Sequence, residues 1–221
     1  MSSFANKLGL EFHKFELKQI NLEDARNSVR LILHHKDPTA FPYGTNGVDI
    51  SDLLLHMFTE KSIGKIIFNC EKCSVSRTSA SKLTNLFSIT LKKFSTIQEH
   101  LDASIKKTKK CTCGHDVTKT YKYNSSVDFQ AISLTHGSQG IKISKSITLY
   151  NGTNHVVLPI RGAIYYGNSH FVSRIISSAG KVWYHDGIET MQQCIHEGYL
   201  IDYTEDNLRG VKICVGVIYA L

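Results

Sequence analysis

Two close pairs of cysteines constrain this sequence more than any other feature. Cys70 and Cys73 form a CxxC motif, and Cys111 and Cys113 form a CxC motif further along the chain. Two pairs of soft thiolate ligands on either side of a hairpin-sized insert are the arrangement that tetrahedral zinc requires. The sequence therefore predicts one structural zinc site that ties two distant segments together.

The second pair departs from the usual spacing, which leaves the ligand set open. A single residue between Cys111 and Cys113 suits a metal knuckle less well than two, so His115 could replace one of these cysteines. The alternative is that all four are reduced thiols of a site that no longer binds metal. Cys194 and Cys214 stand alone in apolar surroundings and are expected to be buried thiols.

Length and composition exclude several protein classes. The 221 residues fit one domain or one domain with a large insertion, and 42% hydrophobic residues with three prolines exclude a disordered or collagen-like chain. The chain has no run of about 18 apolar residues and no apolar segment typical of a signal peptide. We therefore expect a protein of a reducing compartment, cytoplasmic or nuclear, in which cysteines serve as ligands rather than as disulfides.

Hydrophobic periodicity predicts two helices at the start of the chain and mostly strands after them. Asn21 is expected to cap a helix that ends at Asp37-Pro38, and a second apolar pattern of helical spacing runs from Ile50 to Phe58. A short third helix is expected near Ile97. Segments rich in β-branched and aromatic residues predict strands at 63–68, 75–91, 117–123, 129–134, 156–165, 170–177, 181–185 and 211–219. This order of elements indicates an α+β fold.

A histidine and an aspartate in the last third give the strongest catalytic signal. His170 opens a predicted strand after a turn at Gly167, and Asp186 closes the next strand. In an antiparallel pair these two ends lie side by side, so the carboxylate could accept the imidazole N–H and fix its tautomer. The two residues would then be the base and orienting acid of a Cys-His-Asp or Ser-His-Asp triad. A histidine and an aspartate on neighbouring strands are also common without catalysis.

A series of motifs occurs in an order that resembles the catalytic domain of the ubiquitin-specific proteases. In that family a Gln-Gln-Asp helix precedes a CxxC…CxxC zinc ribbon, a core strand, a Gly-His-Tyr strand, a Trp-Tyr…Asp segment and a terminal apolar strand. The corresponding segments here are residues 47–54, 70–73, 111–113, 129–136, 167–171, 182–186 and 213–219. The resemblance covers the chain from about residue 22 to its end.

The resemblance implies an α+β, papain-like cysteine protease fold in a single domain. Residues 1–61 would be the remnant of a helical thumb, residues 62–127 inserted zinc-ribbon β fingers, and residues 128–221 an antiparallel β-rich palm. Structural Zn²⁺ would be held in the fingers by Cys70, Cys73, Cys111 and Cys113.

The same resemblance assigns roles to residues of the palm. His170 would be the general base and Asp186 its orienting acid, although Asp186 follows Trp183 by three residues where the family usually has four. The partner would be ubiquitin or a ubiquitin-like protein. The channel for its extended tail would be lined by Tyr165, Tyr166, Phe171 and Trp183.

The nucleophile that this family requires is missing from the sequence. The family places it in an Asn-x-Cys box ahead of the helix motif, but no cysteine precedes Cys70, and Gly47-Val48 replaces the Gln-Gln pair. A zinc-bound thiolate is not free to attack a substrate. Two functions therefore remain open: an inactive or incomplete domain of the thiol-dependent deubiquitinase family, or a non-catalytic scaffold that binds ubiquitin or a ubiquitin-like protein.

The basic charge motivates a third function, a zinc ribbon that binds nucleic acid. The formal net charge is +7, and a cluster comprising Lys106, Lys107, Lys109 and Lys110 precedes the second cysteine pair. No aromatic residues interleave with these lysines to stack on bases, and a solvated helix end accounts for the cluster. The sequence therefore favours a ubiquitin-like partner over nucleic acid, and it indicates no membrane partner.

Overall fold

The chain divides into two compact units, Met1–Lys61 and Ser62–Leu221. The computed structural model describes residues 10–11, 13–14, 17–43, 50–58, 62–106, 109–123, 127–150, 154–191, 193–205 and 212–221. No helix within these ranges has the length and apolar character needed to cross a bilayer.

Two helices form most of the described part of the first unit. Helix α1 spans Leu22–Lys36 and helix α2 spans Ile50–Phe58. The side-chain oxygen of Asn21 accepts the backbone N–H of Asp24 at 2.8 Å, which caps α1, and the helix ends at Asp37. Both predicted helices are therefore confirmed.

A small apolar cluster holds this first unit together. Leu33 and Phe41 are buried in it, surrounded by the partly buried side chains of Val29, Ile32, Ala40, Leu53 and Met57. The start of the segment that corresponds to the family's helix motif, residues 47–49, lies outside the described residues.

A four-stranded antiparallel sheet, called here the finger sheet, carries both cysteine pairs. Its strands are β1 (Gly64–Cys70), β2 (Val75–Thr78), β4 (Lys109–Lys110) and β5 (Asp116–Tyr123). Their order is β2-β1-β5-β4, and Asn69 of β1 lies opposite Thr118 of β5. This register brings the ends that carry the cysteines together at the tip of the sheet.

A second sheet of eight strands, called here the palm sheet, fills most of the second unit. It contains β3 (Leu86–Ile89), β6 (Phe129–Leu134), β7 (Ser146–Tyr150), β8 (His155–Gly167), β9 (His170–Ile176), β10 (Lys181–Asp186), β11 (Ile195–Tyr199) and β12 (Ile213–Ala220). Their order is β11-β10-β9-β8-β12-β6-β3, and β7 pairs with β8. The pairs are antiparallel except for β3 with β6, which is parallel.

The predicted strands agree with most of this sheet, but β7 and β11 are absent from them and β3 is predicted with the wrong bounds. The segment 75–91 was expected to be one strand, yet it forms β2 and β3, which belong to different sheets. The reason is the run of small polar residues around Ser79 and Ser81, which breaks the strand. Strand β11 escapes prediction because Gly198 interrupts a short and largely exposed segment.

The core of the palm sheet is a large apolar cluster. Helix α3 (Ile97–Lys106), predicted from its apolar spacing, contributes Ile97 and Leu101 to it. Short 3-10 helices at His136–Ser138 and Leu200–Asp202 connect strands of this unit. The fully buried apolar side chains in the core include Ile132, Ile147, Leu158, Ile160, Val217 and Tyr219. This packing gives a rigid base for the strand ends that carry His170 and Asp186.

Candidate active site and thiol cluster

A two-residue turn fixes His170 at the start of β9. Asn168 and Ser169 both have φ of 56°, the left-handed conformation that a tight hairpin with right-handed strand twist needs at its two central residues. Gly167 and His170 face each other across the hairpin. The position of the histidine along the strand is therefore set by the turn.

Strand pairing brings Asp186 to the same face of the sheet. Asp186 lies opposite Val172, and His170 is two residues before Val172, so both side chains project from one face. His170 Nε2 lies 2.5 Å from Asp186 Oδ1. The structure thus joins the two residues in a dyad, as the strand order predicted.

The Asp186 carboxylate is buried and accepts hydrogen bonds on both oxygens. Oδ1 also accepts the backbone N–H of Ile188 at 2.9 Å and of Glu189 at 3.2 Å. Oδ2 accepts the hydroxyl of Tyr184 at 3.2 Å and lies 3.9 Å from Lys212 Nζ. These partners hold the carboxylate in one orientation.

The same partners keep Asp186 ionised. Burial alone would raise the pKa of this carboxyl, but the N–H of Ile188, the His170 imidazole and the N–H of Glu189 hold the pKa well below its usual range. Because an ionised carboxylate can only accept, we assign the imidazole proton to Nε2. The lone pair of neutral His170 is then on Nδ1, where it could take a proton from a nucleophile.

Three residues that support Asp186 were missed from the sequence. Tyr184 stands two positions before Asp186 on β10, so strand alternation could have placed it on the same face. The Thr190 hydroxyl accepts the N–H of Asp186 at 3.0 Å and donates to its carbonyl oxygen at 2.8 Å. Lys212 arrives from the distant segment before β12, and no local pattern indicates it.

The four aromatic residues expected along a tail channel are split between two faces. Tyr165 lies opposite Val172 and shares the face of His170, where it is buried. Tyr166, Phe171 and Trp183 project from the other face because side chains alternate along a strand. A channel toward His170 therefore cannot be lined by all four on one surface.

A shallow concavity nevertheless joins His170 to one of these aromatic residues. It has a volume of about 440 Å³ and borders His170, Phe171, Ser173 and His185 at the end of β9. The side chain of His170 is 22% exposed. Solvent therefore reaches the histidine of the dyad but not its aspartate.

The four cysteines of the finger sheet form a compact cluster. All four Sγ atoms lie within 4.8 Å of one another. Cys70 and Cys113 are 3.5 Å apart, Cys73 and Cys111 are 3.5 Å apart, and Cys73 and Cys113 are 3.7 Å apart. A tetrahedral ion with Zn–S bonds of about 2.3 Å needs sulfurs about 3.8 Å apart. The donor set therefore fits a tetrahedral metal site.

Backbone N–H groups support these sulfurs. Each sulfur accepts one such bond, and the donors for Cys70, Cys73, Cys111 and Cys113 are Cys73, Val75, Cys113 and His115, respectively. The N–H of Cys113 is the largest of the influences that lower the pKa of the Cys111 thiol to about 6. For Cys73 and Cys113 the N–H of Val75 and of His115 acts in the same direction, but the neighbouring thiols outweigh it and raise the pKa. Backbone donors that stabilise thiolates are the outer-shell support that a metal site uses.

The structure favours the four-cysteine set over one that includes His115. His115 Nδ1 is 3.0 Å from the carbonyl oxygen of Cys113, and its Nε2 is 3.2 Å from Lys72 Nζ. Neither ring nitrogen belongs to the cluster.

The two remaining cysteines differ from each other. Cys214 is buried as expected, and this burial raises the pKa of its thiol to about 12. Cys194 was also expected to be buried, but it is exposed. It lies just before β11, the strand at the edge of the palm sheet, where the core does not reach it.

Two solved structures share this fold. A SAGA DUB module of Ubp8, Sgf11, Sus1 and Sgf73 bound to monoubiquitin matches with a TM-score of 0.51 and 14% identity, over 96% of this chain and 52% of that chain. A structure of the SAGA Ubp8(S144N)/Sgf11/Sus1/Sgf73 DUB module matches with a TM-score of 0.50 and 15% identity, over 95% of this chain and 47% of that chain. The likeness supports a fold similar to that of a ubiquitin-specific protease.

The present chain spans about half the length of those solved chains. No protein-family profile and no curated protein sequence matches it. The similarity therefore concerns the fold.

Proposed function

We propose that this chain is a ubiquitin-specific-protease-like domain that keeps the base and orienting acid of the family but does not hydrolyse substrate by itself. The observation that carries the proposal is the dyad, in which His170 Nε2 is hydrogen-bonded to the buried, ionised carboxylate of Asp186. Nδ1 of His170 has no partner in the described part of the chain. This half of a triad would activate a nucleophile if one were present.

None of the six cysteines is placed to be that nucleophile. Four lie in the thiol cluster of the finger sheet, and Cys214 is buried in the palm core. Cys194 is exposed and forms no hydrogen bond with His170 in the described part of the chain. A general base must lie within about 3 Å of the proton that it removes. Acyl transfer through these cysteines is therefore not expected.

The thiol cluster would hold one structural Zn²⁺ through Cys70, Cys73, Cys111 and Cys113. The metal would close the tip of the finger sheet, because the two pairs come from opposite ends of a long insert. It would have no part in the chemistry of the dyad.

Hydrolysis of a ubiquitin–fluorophore amide and labelling by a ubiquitin that carries a thiol-directed warhead test the catalytic proposal. We expect neither turnover nor a covalent adduct. Cys194→Ser and His170→Ala variants serve as controls for adventitious labelling. Labelling of Cys194 that disappears in the His170→Ala variant would show a rearranged active site and overturn the proposal.

A non-catalytic ubiquitin-binding scaffold is the second candidate, and the concavity beside the dyad favours it. The extended tail of ubiquitin or a ubiquitin-like protein would pass Phe171 toward His170. One of the similar structures is a complex with monoubiquitin. Trp183 is the single tryptophan, so its fluorescence reports on this sheet.

Titration of the chain with mono- and polyubiquitin tests binding through tryptophan fluorescence and NMR. Phe171→Ala should weaken binding several-fold, whereas Val157→Ala, also exposed but on a different strand, should leave it unchanged. If neither form of ubiquitin perturbs the palm sheet, the scaffold function is wrong.

A further inference from the structure

The excess of positive over negative charge is confined to one region of the chain. Residues 62–127 contain twelve Lys and Arg against four Asp and Glu, whereas residues 1–61 contain seven against eight and residues 128–221 contain seven against seven. The segment that forms the finger sheet and α3 therefore carries the whole excess. Residues 128–221, which carry the dyad, have no formal net charge.

One face of the finger sheet collects part of this charge. The face, called here the lysine–hydroxyl face, consists of alternate residues of β1 and β5: Lys65, Ile67, Asn69, Thr118, Thr120 and Lys122. Strand β2 adds Ser76 opposite Asn69 and Thr78 opposite Ile67. Both lysines, Thr118 and the two β2 residues are exposed. No carboxylate belongs to this face.

The two lysines of the face oppose each other directly. Lys65 is the cross-strand partner of Lys122, and like charges in that position destabilise a sheet. Neither has an acidic partner within the described ranges. Elsewhere on the finger sheet a lysine finds a partner, as Lys110 does with Asp116 at 2.9 Å. Two facing, unpaired lysines indicate a surface on which an anionic ligand would reduce the repulsion between the two positive charges.

The other residues of the face narrow the class of that ligand. Protein interface cores are enriched in aromatic residues, Met and Arg and depleted in Lys and Ser, and this face has the opposite composition. Single-stranded nucleic acid needs aromatic side chains for stacking, but Phe68 and Tyr121 project from the other face of the sheet. Lysine, hydroxyl and amide groups are the donors that contact the phosphates and sugars of a duplex.

We propose that the lysine–hydroxyl face binds the phosphate backbone of double-stranded nucleic acid without reading its sequence. The sequence pattern did not favour nucleic acid, because the visible cluster at residues 106–110 is one segment of a helix end. The register of β1 with β5 instead joins two lysines that are far apart in sequence. This binding uses neither the dyad nor the concavity, so it stands apart from the proposed function.

Fluorescence anisotropy with a labelled 20-base-pair DNA duplex of arbitrary sequence, measured between 50 and 200 mM salt, tests the proposal on the full chain. The test variant is Lys65→Ala/Lys122→Ala. The matched control is Lys142→Ala/Lys181→Ala, which removes the same charge from exposed sites outside the finger sheet. Poly-glutamate and a single strand of equal length serve as competing ligands.

We expect the slope of the logarithm of the association constant against the logarithm of the salt concentration to be smaller in magnitude by about 1.8 in the test variant. This is about 0.9 for each of the two phosphates that the variant no longer neutralises. If the two lines converge near 1 M salt, affinity at 0.1 M falls roughly 60-fold. The control should keep the slope of the parent. The melting temperature of the test variant should stay equal or rise, since the opposed charges are gone; weaker binding then does not reflect unfolding.

Three results would overturn the proposal. The first is an equal loss in the test and control variants, which would mean that net charge alone attracts the duplex. The second is tighter binding of poly-glutamate, which would assign the face to an acidic protein. The third is tighter binding of the single strand, which would require a stacking surface.

Discussion

The finger sheet and the palm sheet belong to one unit but are stabilised by different means. In the described part of the finger sheet only Cys70 and Val117 are buried apolar side chains, and every residue of β2 is exposed. The palm sheet buries Ile, Leu, Val and Tyr side chains from seven of its strands in a continuous core. Hydrophobic burial can therefore hold the dyad in place, whereas we expect the finger sheet to depend on metal binding by its thiol cluster.

Loss of one thiol should have the largest effect and should fall on the finger sheet alone. Cys70→Ser removes a ligand, and structural zinc sites supply about 10–16 kcal/mol of apparent binding free energy in small zinc peptides. We expect one zinc per chain in the parent and less than a tenth of this in the variant. Amide exchange should accelerate in β1 and β5 while β8 and β12 stay protected.

The matched control for this variant is Cys194→Ser. Cys194 is exposed and outside the cluster, so its replacement should leave the zinc content and the exchange rates unchanged. A metal-free parent whose stability does not change on adding zinc would contradict the comparison between the two sheets.

A cavity in the palm core should lower the stability of the palm sheet and leave the zinc content of the finger sheet unchanged. Ile160 on β8 is fully buried, and Ile160→Ala should lower the free energy of unfolding by about 2–5 kcal/mol. Zinc content should not change, because the cluster lies in the other sheet. Val157→Ala on the same strand is the control: Val157 is 54% exposed, so its loss should cost less than about 0.5 kcal/mol. Denaturant unfolding with parallel zinc analysis measures both.

A substitution in the dyad tests whether Asp186 sets the tautomer of His170. Asp186→Asn replaces an acceptor by a group that can donate, so His170 should no longer favour the Nε2–H tautomer. Nitrogen-15 shifts of the imidazole report the change, and Asp202→Asn, on the exposed 3-10 helix, should leave them as in the parent. An unchanged tautomer in Asp186→Asn would show that the carboxylate does not orient the ring.

Acidification should affect the finger sheet at a higher pH than the palm sheet. Because the pKa of Asp186 is lowered in the folded chain, its contribution to stability is present above the ordinary aspartate pKa of about 3.9 and is lost only as pH falls through the lower folded value. Thiolate ligands must be deprotonated to hold a metal. Between pH 7 and 4 we expect zinc release, detected with a colorimetric chelator, while the near-UV spectrum of the palm stays unchanged.

Sequence patterns could predict the features that arise from local chemistry and strand alternation. The cysteine pairs indicated the cluster, and the positions of His170 and Asp186 at strand ends indicated the dyad. Alternation also implies that the consecutive residues Tyr165 and Tyr166 face opposite sides of β8, so the split of the aromatic residues was within reach.

Features that depend on pairing between distant segments could not be predicted from sequence patterns. The approach of Lys212 to Asp186 requires the position of the segment before β12, and the opposition of Lys65 and Lys122 requires the register of β1 with β5. A shift of that register by one residue would move a whole set of side chains to the other face. Local periodicity carries no information on this choice.

The smallest expected effect concerns the link between the finger sheet and α3. Lys119 Nζ donates to the carbonyl oxygen of Ser104 in α3 at 3.0 Å and to the hydroxyl of Tyr121 at 2.7 Å. Lys119→Met keeps the apolar stem but removes both bonds, which should cost about 1 kcal/mol. Lys122→Met, three residues along the same strand on the exposed face, should cost nothing, because Lys122 opposes another lysine. Faster amide exchange in β5 for Lys119→Met but not for Lys122→Met would show that contacts with α3 also stabilise the finger sheet. Equal exchange in both would leave the thiol cluster as its main support.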